Sequence, residues 1–193
     1  EYRGYDSAGI AICNGGLEVA RAVGRVSVLE DKVKAAHGFD GPLGIAHTRW
    51  ATHGAVTEKN AHPHRDDRAG VALRHNGIIE NYASLRTYLE EKGHTFVSDT
   101  DTEVLAMLIG ELYDPDAGVD LEAAVQAALR EVTGAYAIAV ICEREPGVLV
   151  CARKGSPLMV GVGAGEFVVA SDPSASVAHT TRAFPLEDYN VVK

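Results

Sequence analysis

The order of apolar and polar positions predicts strands in the first part of the chain, helices in the middle and strands again at the end. Before residue 80, the strand-like runs are residues 8–13, 17–23, 43–49 and 71–75. Asn14-Gly15-Gly16 separates the first two runs and is typical of a tight turn. The polar stretch 52–68 separates the last two runs, and loops of this length in compact domains often carry function.

Helices are predicted from apolar periodicity and from capping residues. Residues 27–30 (Ser-Val-Leu-Glu) and 100–103 (Thr-Asp-Thr-Glu) have the spacing of a capping box. We expect the first box to open a short helix that Gly38 closes, and the second to open a helix with one apolar face. Two further helices are predicted over residues 81–92 and after Asp120.

After Gly134 the apolar period changes to two, as expected for strands. The predicted strands are residues 136–141, 148–152, 158–162, 167–170 and 189–193. Gly-rich turns join the first four of these strands without an intervening helix, and Asp172-Pro173 predicts a helical turn before the last strand. We therefore predict an α+β fold with helices packed on antiparallel sheets, rather than a doubly wound parallel sheet.

Composition narrows the classes of function. The chain has 193 residues, 46% of them hydrophobic, and a net charge of −9, which fits one globular domain. No block rich in Lys or Arg occurs, so we expect no nucleic-acid partner. No apolar run approaches the ~18 residues of a membrane span, and the polar start predicts no signal peptide. Three cysteines without CxxC spacing favour a reducing, cytoplasmic location.

Two opposite charges are candidates for binding an amino acid. Arg49 ends a predicted strand, where its planar guanidinium is suited to a carboxylate; a surface ion pair is the alternative. Asp101 lies in the first turn of a predicted helix, where it is either a helix-end charge or an anion that receives an ammonium group. Together, Arg49 and Asp101 match the two charged ends of a free amino acid.

Asn76-Gly77 follows a predicted strand and is either a plain turn or an oxyanion hole. In the second interpretation, the Asn76 amide and the Gly77 backbone N–H donate to a developing negative oxygen. An attacking group is harder to find, because no GxSxG motif occurs. Cys13, Cys142 and Cys151 lie in apolar runs, where a reactive thiolate is unfavourable.

A metal site is the competing interpretation of the histidines. Five of them fall within one stretch: His47, His53, His62, His64 and His75. No Cys accompanies them, and neither HxxxH nor HExxH helical spacing occurs. Loop histidines that hydrogen-bond to the backbone are more common, so we expect no metal and no cofactor.

Five ordered motifs carry a resemblance to a known family. They are EYRGYDSAG at residues 1–9, HTRWATHG at 47–54, NAHPH at 60–64, HNGIIEN at 75–81 and TDTE at 100–103. Together they resemble the glutaminase domain of the glutamine–fructose-6-phosphate aminotransferase family, which is a class-II, N-terminal-nucleophile amidotransferase. The segments 134–136, 155–158 and 170–172 extend the resemblance over nearly the whole chain.

The resemblance implies a four-layer αββα sandwich that hydrolyses L-glutamine to L-glutamate and ammonia. The ammonia is used to convert fructose 6-phosphate to glucosamine 6-phosphate at a C-terminal isomerase region, which these 193 residues do not include. We therefore expect residues 1–193 to form a single glutamine amidotransferase domain of type 2. The resemblance also implies a possible homodimer.

Residue roles also follow from the resemblance. Arg49 would hold the glutamine carboxylate, Asp101 its ammonium, and Asn76 with Gly77 would form the oxyanion hole. The other implied residues close over glutamine or support the site from the next loop: Trp50, Thr52, His53 and His62.

The chain departs from the family at the nucleophile. In the family this group is the thiol of an N-terminal Cys, with its own α-amine as base, but residue 1 here is Glu. The resemblance places that Cys upstream, before a first strand and helix that are also absent from these residues. We expect an N-terminally truncated domain that is inactive as it stands. The alternatives are a non-catalytic glutamine- or glutamate-binding regulatory module, or another class-II amidotransferase.

Overall fold

The computed structural model describes residues 4–51 and 54–193. Its helices are α1 (Val26–Ala35), α2 (Tyr82–Glu91), α3 (Asp101–Leu112) and α4 (Leu121–Glu131). Its strands before α2 are β1 (Ser7–Cys13), β2 (Leu17–Val23), β3 (Leu43–Arg49), β4 (His64–Asp66) and β5 (Val71–Ile79). Those after α4 are β6 (Gly134–Cys142), β7 (Leu149–Lys154), β8 (Met159–Val162), β9 (Phe167–Ala170), β10 (Ala183–Pro185) and β11 (Val191–Val192).

The strands form three sheets, and every pair of named strands is antiparallel. The sheet orders are β2-β1-β3, β10-β8-β9 and β11-β7-β6-β5-β4. In the first sheet, Cys13 of β1 pairs with Leu17 of β2, so the hairpin turns through the predicted Asn14-Gly15-Gly16. In the five-stranded sheet, β5 and β6 pair along their full length, from Val71 with Cys142 to Ile79 with Gly134.

Alternating residues of β6 explain the layer order. Ile138 and Val140 pack with α3 and α4 in one core, whereas Ala137 and Ala139 pack with β1 and β3 in a second core. Because side chains alternate across a strand, β6 is buried on both faces and reads as an almost continuous apolar run. A third, smaller core joins α1 to β1 and β2. The layers are therefore helix, sheet, sheet and helix, which confirms the α+β class and the αββα arrangement.

The N-termini of α1 and α3 show which of the two predicted capping boxes is present. Thr100 is the N-cap of α3, and its hydroxyl oxygen accepts the Glu103 N–H at 3.3 Å, as predicted. The Glu103 carboxylate instead accepts the N–H groups of Val97 and Ser98, at 3.0 and 2.7 Å. The first box is wrong: Arg25 is the N-cap of α1, without a side-chain cap, so Ser27 lies inside the helix.

Two strands before α2 differ from the sequence prediction, and β10 (Ala183–Pro185) was not predicted either. β5 continues to Ile79, four residues beyond the predicted end at His75, because β6 pairs with it over that whole length. β4 was not predicted, since its His-Arg-Asp sequence is polar; it is nevertheless held at the sheet edge by pairing with β5. Within the described ranges, no helix has both the length and the apolar character needed to cross a bilayer.

Candidate active site

Six of the eight predicted site residues line one cavity of about 210 Å³. They are Arg49, Trp50, His62, Asn76, Gly77 and Asp101. The other two, Thr52 and His53, lie outside the described residues. The cavity is smaller than the ~300–1,000 Å³ of sites for drug-sized ligands, and its size suits one small polar molecule.

Three elements converge on this cavity. β3 ends there with Arg49, β5 crosses it at Asn76 and Gly77, and α3 begins there with Asp101. β3 and β5 belong to facing sheets, so the cavity opens at the end of the inter-sheet layer. Residues that are distant in sequence are therefore brought together by the packing of the sheets.

Arg49 is buried and provides the cationic side of the cavity. Its guanidinium lies 3.8 Å from Asp6 Oδ1 and donates long hydrogen bonds to the carbonyls of Gly54 and Ala55. Burial lowers the pKa of Arg49, and the negative charges of Asp6 and Asp101 oppose that effect. An arginine remains protonated in proteins, so the group is a fixed cation.

Asp6 is a residue that the sequence analysis missed. Its carboxylate accepts the Ala51 N–H and the Ser7 hydroxyl, and it faces Arg49. Asp6 therefore ties the segment after β3 to the start of β1 and orients the guanidinium. The available signal was its place within the motif at residues 1–9.

Asp101 provides the anionic side of the cavity. It is buried at the first position of α3, where the helix N-terminus favours a carboxylate. Its Oδ2 accepts the backbone N–H of Ile79 at 2.8 Å, which fixes the helix start against β5. Arg49 and Asp101 thus present opposite charges to the same small cavity.

Asn76 and Gly77 lie within β5, so the turn interpretation is wrong. They pair with Ala137 and Tyr136 of β6. Gly77 has a φ of +134°, and a Cβ at this position would overlap the carbonyl oxygen of Ala135. The position therefore requires glycine both for its backbone conformation and for the close approach of β6. The amide of Asn76 and the backbone at Gly77 border the same cavity.

Three histidines pack against one another at the wall of the cavity. The His47 and His62 rings are 4.4 Å apart and nearly parallel, and the His64 ring meets His62 edge-on at 5.0 Å. Burial is the main cause that lowers the pKa of His47 and of His64 to about 3, and that of His62 well below its ordinary value. These rings are neutral near pH 7. In the described parts of the chain, no group of three or more His, Cys, Asp or Glu is placed to hold a metal ion.

Two further contacts shape the cavity wall and its rim. His75 Nδ1 lies 3.0 Å from Thr102 Oγ1, which joins β5 to the first turn of α3. Trp50 is 61% exposed, and its ring meets the Tyr5 ring edge-on at 5.4 Å. Trp50 therefore lies at the mouth of the cavity rather than in its interior.

None of the three cysteines is placed to react in this cavity. Cys13, Cys142 and Cys151 are buried thiols in the strand cores, outside the cavity lining. Burial raises the pKa of Cys151 to about 12 and also raises that of the other two. These thiols are protonated and inaccessible, as expected from their apolar neighbours in the sequence.

Comparison with known proteins identifies the family of the chain. Residues 47–178 match the family model described as "Glutamine amidotransferase domain". The chain is 50% identical over 190 residues to the glutamine–fructose-6-phosphate aminotransferase (isomerizing) of Chlorobaculum tepidum, covering 97% of the chain and 31% of the relative. It is also 50% identical over 192 residues to that of Methanothermobacter thermautotrophicus, covering 100% and 32%. The chain thus spans about a third of these relatives.

A solved structure has the same fold over almost the whole chain. It is the glutamine phosphoribosylpyrophosphate (PRPP) amidotransferase from B. subtilis, with a TM-score of 0.78 and 27% identity. The match covers 99% of this chain and 43% of the solved one. Because the family model matches more than half of the residues, the chain belongs to the glutamine amidotransferase domain family.

Proposed function

We propose that this chain is the glutamine-hydrolysing domain of a glutamine–fructose-6-phosphate aminotransferase. The observation that carries the proposal is the meeting of Arg49, Asp101, Asn76 and Gly77 around one cavity of about 210 Å³. Residues 1–193 would form one type-2 amidotransferase domain. The proposal rests on this geometry and on relatives that share half of the residues.

The proposed binding mode uses both ends of the amino acid. The glutamine carboxylate pairs with the Arg49 guanidinium, and its ammonium group pairs with the Asp101 carboxylate. Charge-assisted hydrogen bonds of this kind are about twice as strong as neutral ones. The side-chain amide then lies beside Asn76 and Gly77. Trp50, Thr52 and His53 would cover the bound molecule, and His62 would support the wall through its stack with His47.

The proposed reaction proceeds through a thioester. A thiolate sulfur adds to the amide carbon, and the carbonyl electrons move to the oxygen, where Asn76 and Gly77 donate hydrogen bonds. Collapse of this intermediate breaks the C–N bond, and the protonated α-amine of the nucleophile gives its proton to the leaving nitrogen, which departs as ammonia. Water then adds to the thioester and releases L-glutamate and the thiol.

We propose that this thiol comes from a segment outside the 193 residues. A cleft of about 760 Å³ lies between β3 and β9, and it shares His47, Thr48 and Asn76 with the small cavity. In the described part of the chain, β3 pairs only with β1, and β9 pairs only with β8. Open strand edges accept an added strand through main-chain hydrogen bonds. An extended segment in this cleft would bring its end to Asn76.

The acceptor of the ammonia is inferred from the relatives. Glutamine–fructose-6-phosphate aminotransferases share about 50% of the residues, whereas the PRPP amidotransferase shares 27%. Fructose 6-phosphate is therefore the proposed acceptor, bound by a further region of the complete protein. We also propose a cytoplasmic location, which suits three free cysteines, and a homodimer of the complete protein.

Binding of glutamate analogues to the purified chain tests this proposal. Calorimetry should detect L-glutamate binding, with weaker binding of glutarate, which lacks the ammonium, and of 4-aminobutyrate, which lacks the α-carboxylate. Asp101→Ala should abolish the preference for L-glutamate over glutarate, and Arg49→Ala should abolish the preference over 4-aminobutyrate. Arg144→Ala, at an exposed ion pair, is the control. If neither substitution changes the affinity for any of the three ligands, the proposed site is wrong.

An assay of glutamine hydrolysis by the complete gene product distinguishes an enzyme from a non-catalytic regulatory module. We expect it to release glutamate and ammonia from L-glutamine. Tight glutamine binding without any turnover in the complete protein favours the non-catalytic module instead.

A further inference from the structure

Arg74 is a buried cation at the floor of the cleft between β3 and β9. It lies in β5 and is 6% exposed. Residues two apart in a strand point to the same face, so Arg74 and Asn76 both face the opposite sheet. Their Cα atoms are roughly 7 Å apart along the strand. The cation therefore lies next to the proposed oxyanion hole, inside the protein.

The neighbours of Arg74 supply no counter-charge. On the same face of the sheet, Arg74 is opposite Ala139 of β6, which is opposite Cys151 of β7. Asp172 also lines the cleft, after β9, where its Oδ1 accepts the Ser174 N–H at 2.9 Å and the Ser174 hydroxyl at 2.6 Å. Its charge is not among those that act on the pKa of Arg74. Within the described ranges, Arg74 makes no hydrogen bond or ion pair, and burial lowers its pKa. An uncompensated buried charge is unfavourable, so a negative group that enters the cleft would be stabilised by this cation.

The field of Arg74 reaches the small cavity. His47 of β3 lines both the cleft and the cavity. Arg74 contributes to the low pKa of His47, after burial and ahead of His75 and Arg49. The titratable or charged groups around Arg74 are thus His47 from β3, His75 from β5 itself, Cys151 from β7, Asp172 after β9, and Arg49 at the end of β3. His47 and His75 are not anions, and Cys151 holds its proton.

We propose that Arg74 stabilises the negative charge on the attacking sulfur of the glutaminase reaction. This inference rests on the proposed function, in which a thiol reaches Asn76 through the cleft. Arg74 is not a catalytic residue, because it acts through its field and contacts neither sulfur nor substrate. The same field favours the neutral form of the α-amine that serves as base, since a nearby cation disfavours an ammonium group.

The test uses the complete gene product and three variants. Arg74→Met removes the charge, Arg74→Lys keeps it, and Arg144→Met removes an exposed charge at the turn after β6. Two quantities are measured as a function of pH. The first is the rate at which iodoacetamide alkylates the thiol that bound glutamine protects (the glutamine-protected thiol), and the second is kcat/KM for glutamine hydrolysis. Calorimetric binding of L-glutamate checks that each variant keeps the Arg49 and Asp101 site.

We expect Arg74→Met to move the midpoint of alkylation and the acidic limb of kcat/KM upward by about one pH unit. Arg74→Lys and Arg144→Met should remain close to the unmodified protein. Coincident midpoints for Arg74→Met and the unmodified protein overturn the role of Arg74 while glutaminase activity stands. If Arg74→Met does not fold, equal shifts in Arg74→Lys and Arg74→Gln overturn it as well. Absence of any glutamine-protected thiol in the unmodified protein overturns the proposed function itself, and this inference with it.

Discussion

Asp101 Oδ2 accepts a 2.8 Å hydrogen bond from the backbone N–H of Ile79, so the start of α3 is fastened to the end of β5. One carboxylate therefore has two tasks. It joins a helix to a strand, and it presents negative charge to the cavity that also contains Arg49. The two tasks are separable by substitution, because an amide keeps the oxygen acceptor but not the charge.

Asp101→Asn should weaken L-glutamate binding while leaving the fold intact. Loss of a charged partner costs about 1.5–3 kcal/mol, so we expect a decrease in affinity of roughly 10- to 100-fold. The melting temperature should change little, because the Asn oxygen still accepts the Ile79 N–H. Calorimetry and thermal unfolding measure the two effects. Asp120→Asn at the exposed N-cap of α4 is the matched control and should change neither.

Gly77→Ala should destabilise the protein strongly. The new Cβ would overlap the Ala135 carbonyl, and φ is +134°. Strain and overlap together should cost about 3 kcal/mol or more in the free energy of unfolding, measured in urea. Gly118→Ala is the matched control: φ is +83°, with no atom within 4 Å, so it should cost about 1 kcal/mol. Equal decreases in the free energy of unfolding of the two variants would show that β6 does not crowd Gly77.

Asn76→Ala should reduce turnover in the complete gene product without weakening glutamine binding. Loss of one oxyanion-hole donor lowers kcat by about 10²–10³, because its hydrogen bond strengthens only as the negative oxygen develops. Steady-state kinetics should show this decrease at nearly constant KM. Arg49→Ala should instead raise KM. A large increase in KM for Asn76→Ala would mean that this amide binds the substrate in the ground state rather than the oxyanion.

Stability should fall as the pH is lowered from 7 to 5. The pKa of buried His64 is about 3 in the folded protein, and an unfolded His titrates near 6.5, so the unfolded state binds more protons between these values. Stability from the neutral ring is complete above about pH 6.5 and decreases below it, by about 2 kcal/mol at pH 5 for His64 alone.

Urea unfolding at both pH values checks the pH effect. His64→Gln should reduce the pH dependence, whereas His179→Gln, at a half-exposed ring, should leave it unchanged. Identical pH dependence in the His64 variant and the unmodified chain would mean that His64 is protonated in the folded state.

Arg74→Met should raise the melting temperature of the 193-residue chain. Methionine is unbranched like the aliphatic stem of arginine, fills apolar space and removes a buried charge that has no counter-charge in the described residues. We expect a gain of about 1 kcal/mol or more in the free energy of unfolding. Arg144→Met, at an exposed ion pair, should change it by less than about 0.5 kcal/mol. A loss of stability in Arg74→Met would point to a structural contact instead.

Local patterns in the sequence determined much of the architecture. The change of apolar period at Gly134, the Asn14-Gly15-Gly16 turn and the Thr100 cap depend only on neighbouring residues, and the structure has all three. The motifs at residues 47–54, 75–81 and 100–103 were sufficient to name Arg49, Asn76 and Asp101 as candidates.

Tertiary structure decided what lies beside these candidates. Asn-Gly is a turn signal by itself, but pairing with β6 extends β5 through Asn76 and Gly77. The Asp6 partner of Arg49 and the isolation of Arg74 depend on which strands meet across the two sheets. Sheet pairing and packing join residues that are far apart in the chain, and such contacts leave no local pattern for a sequence to show.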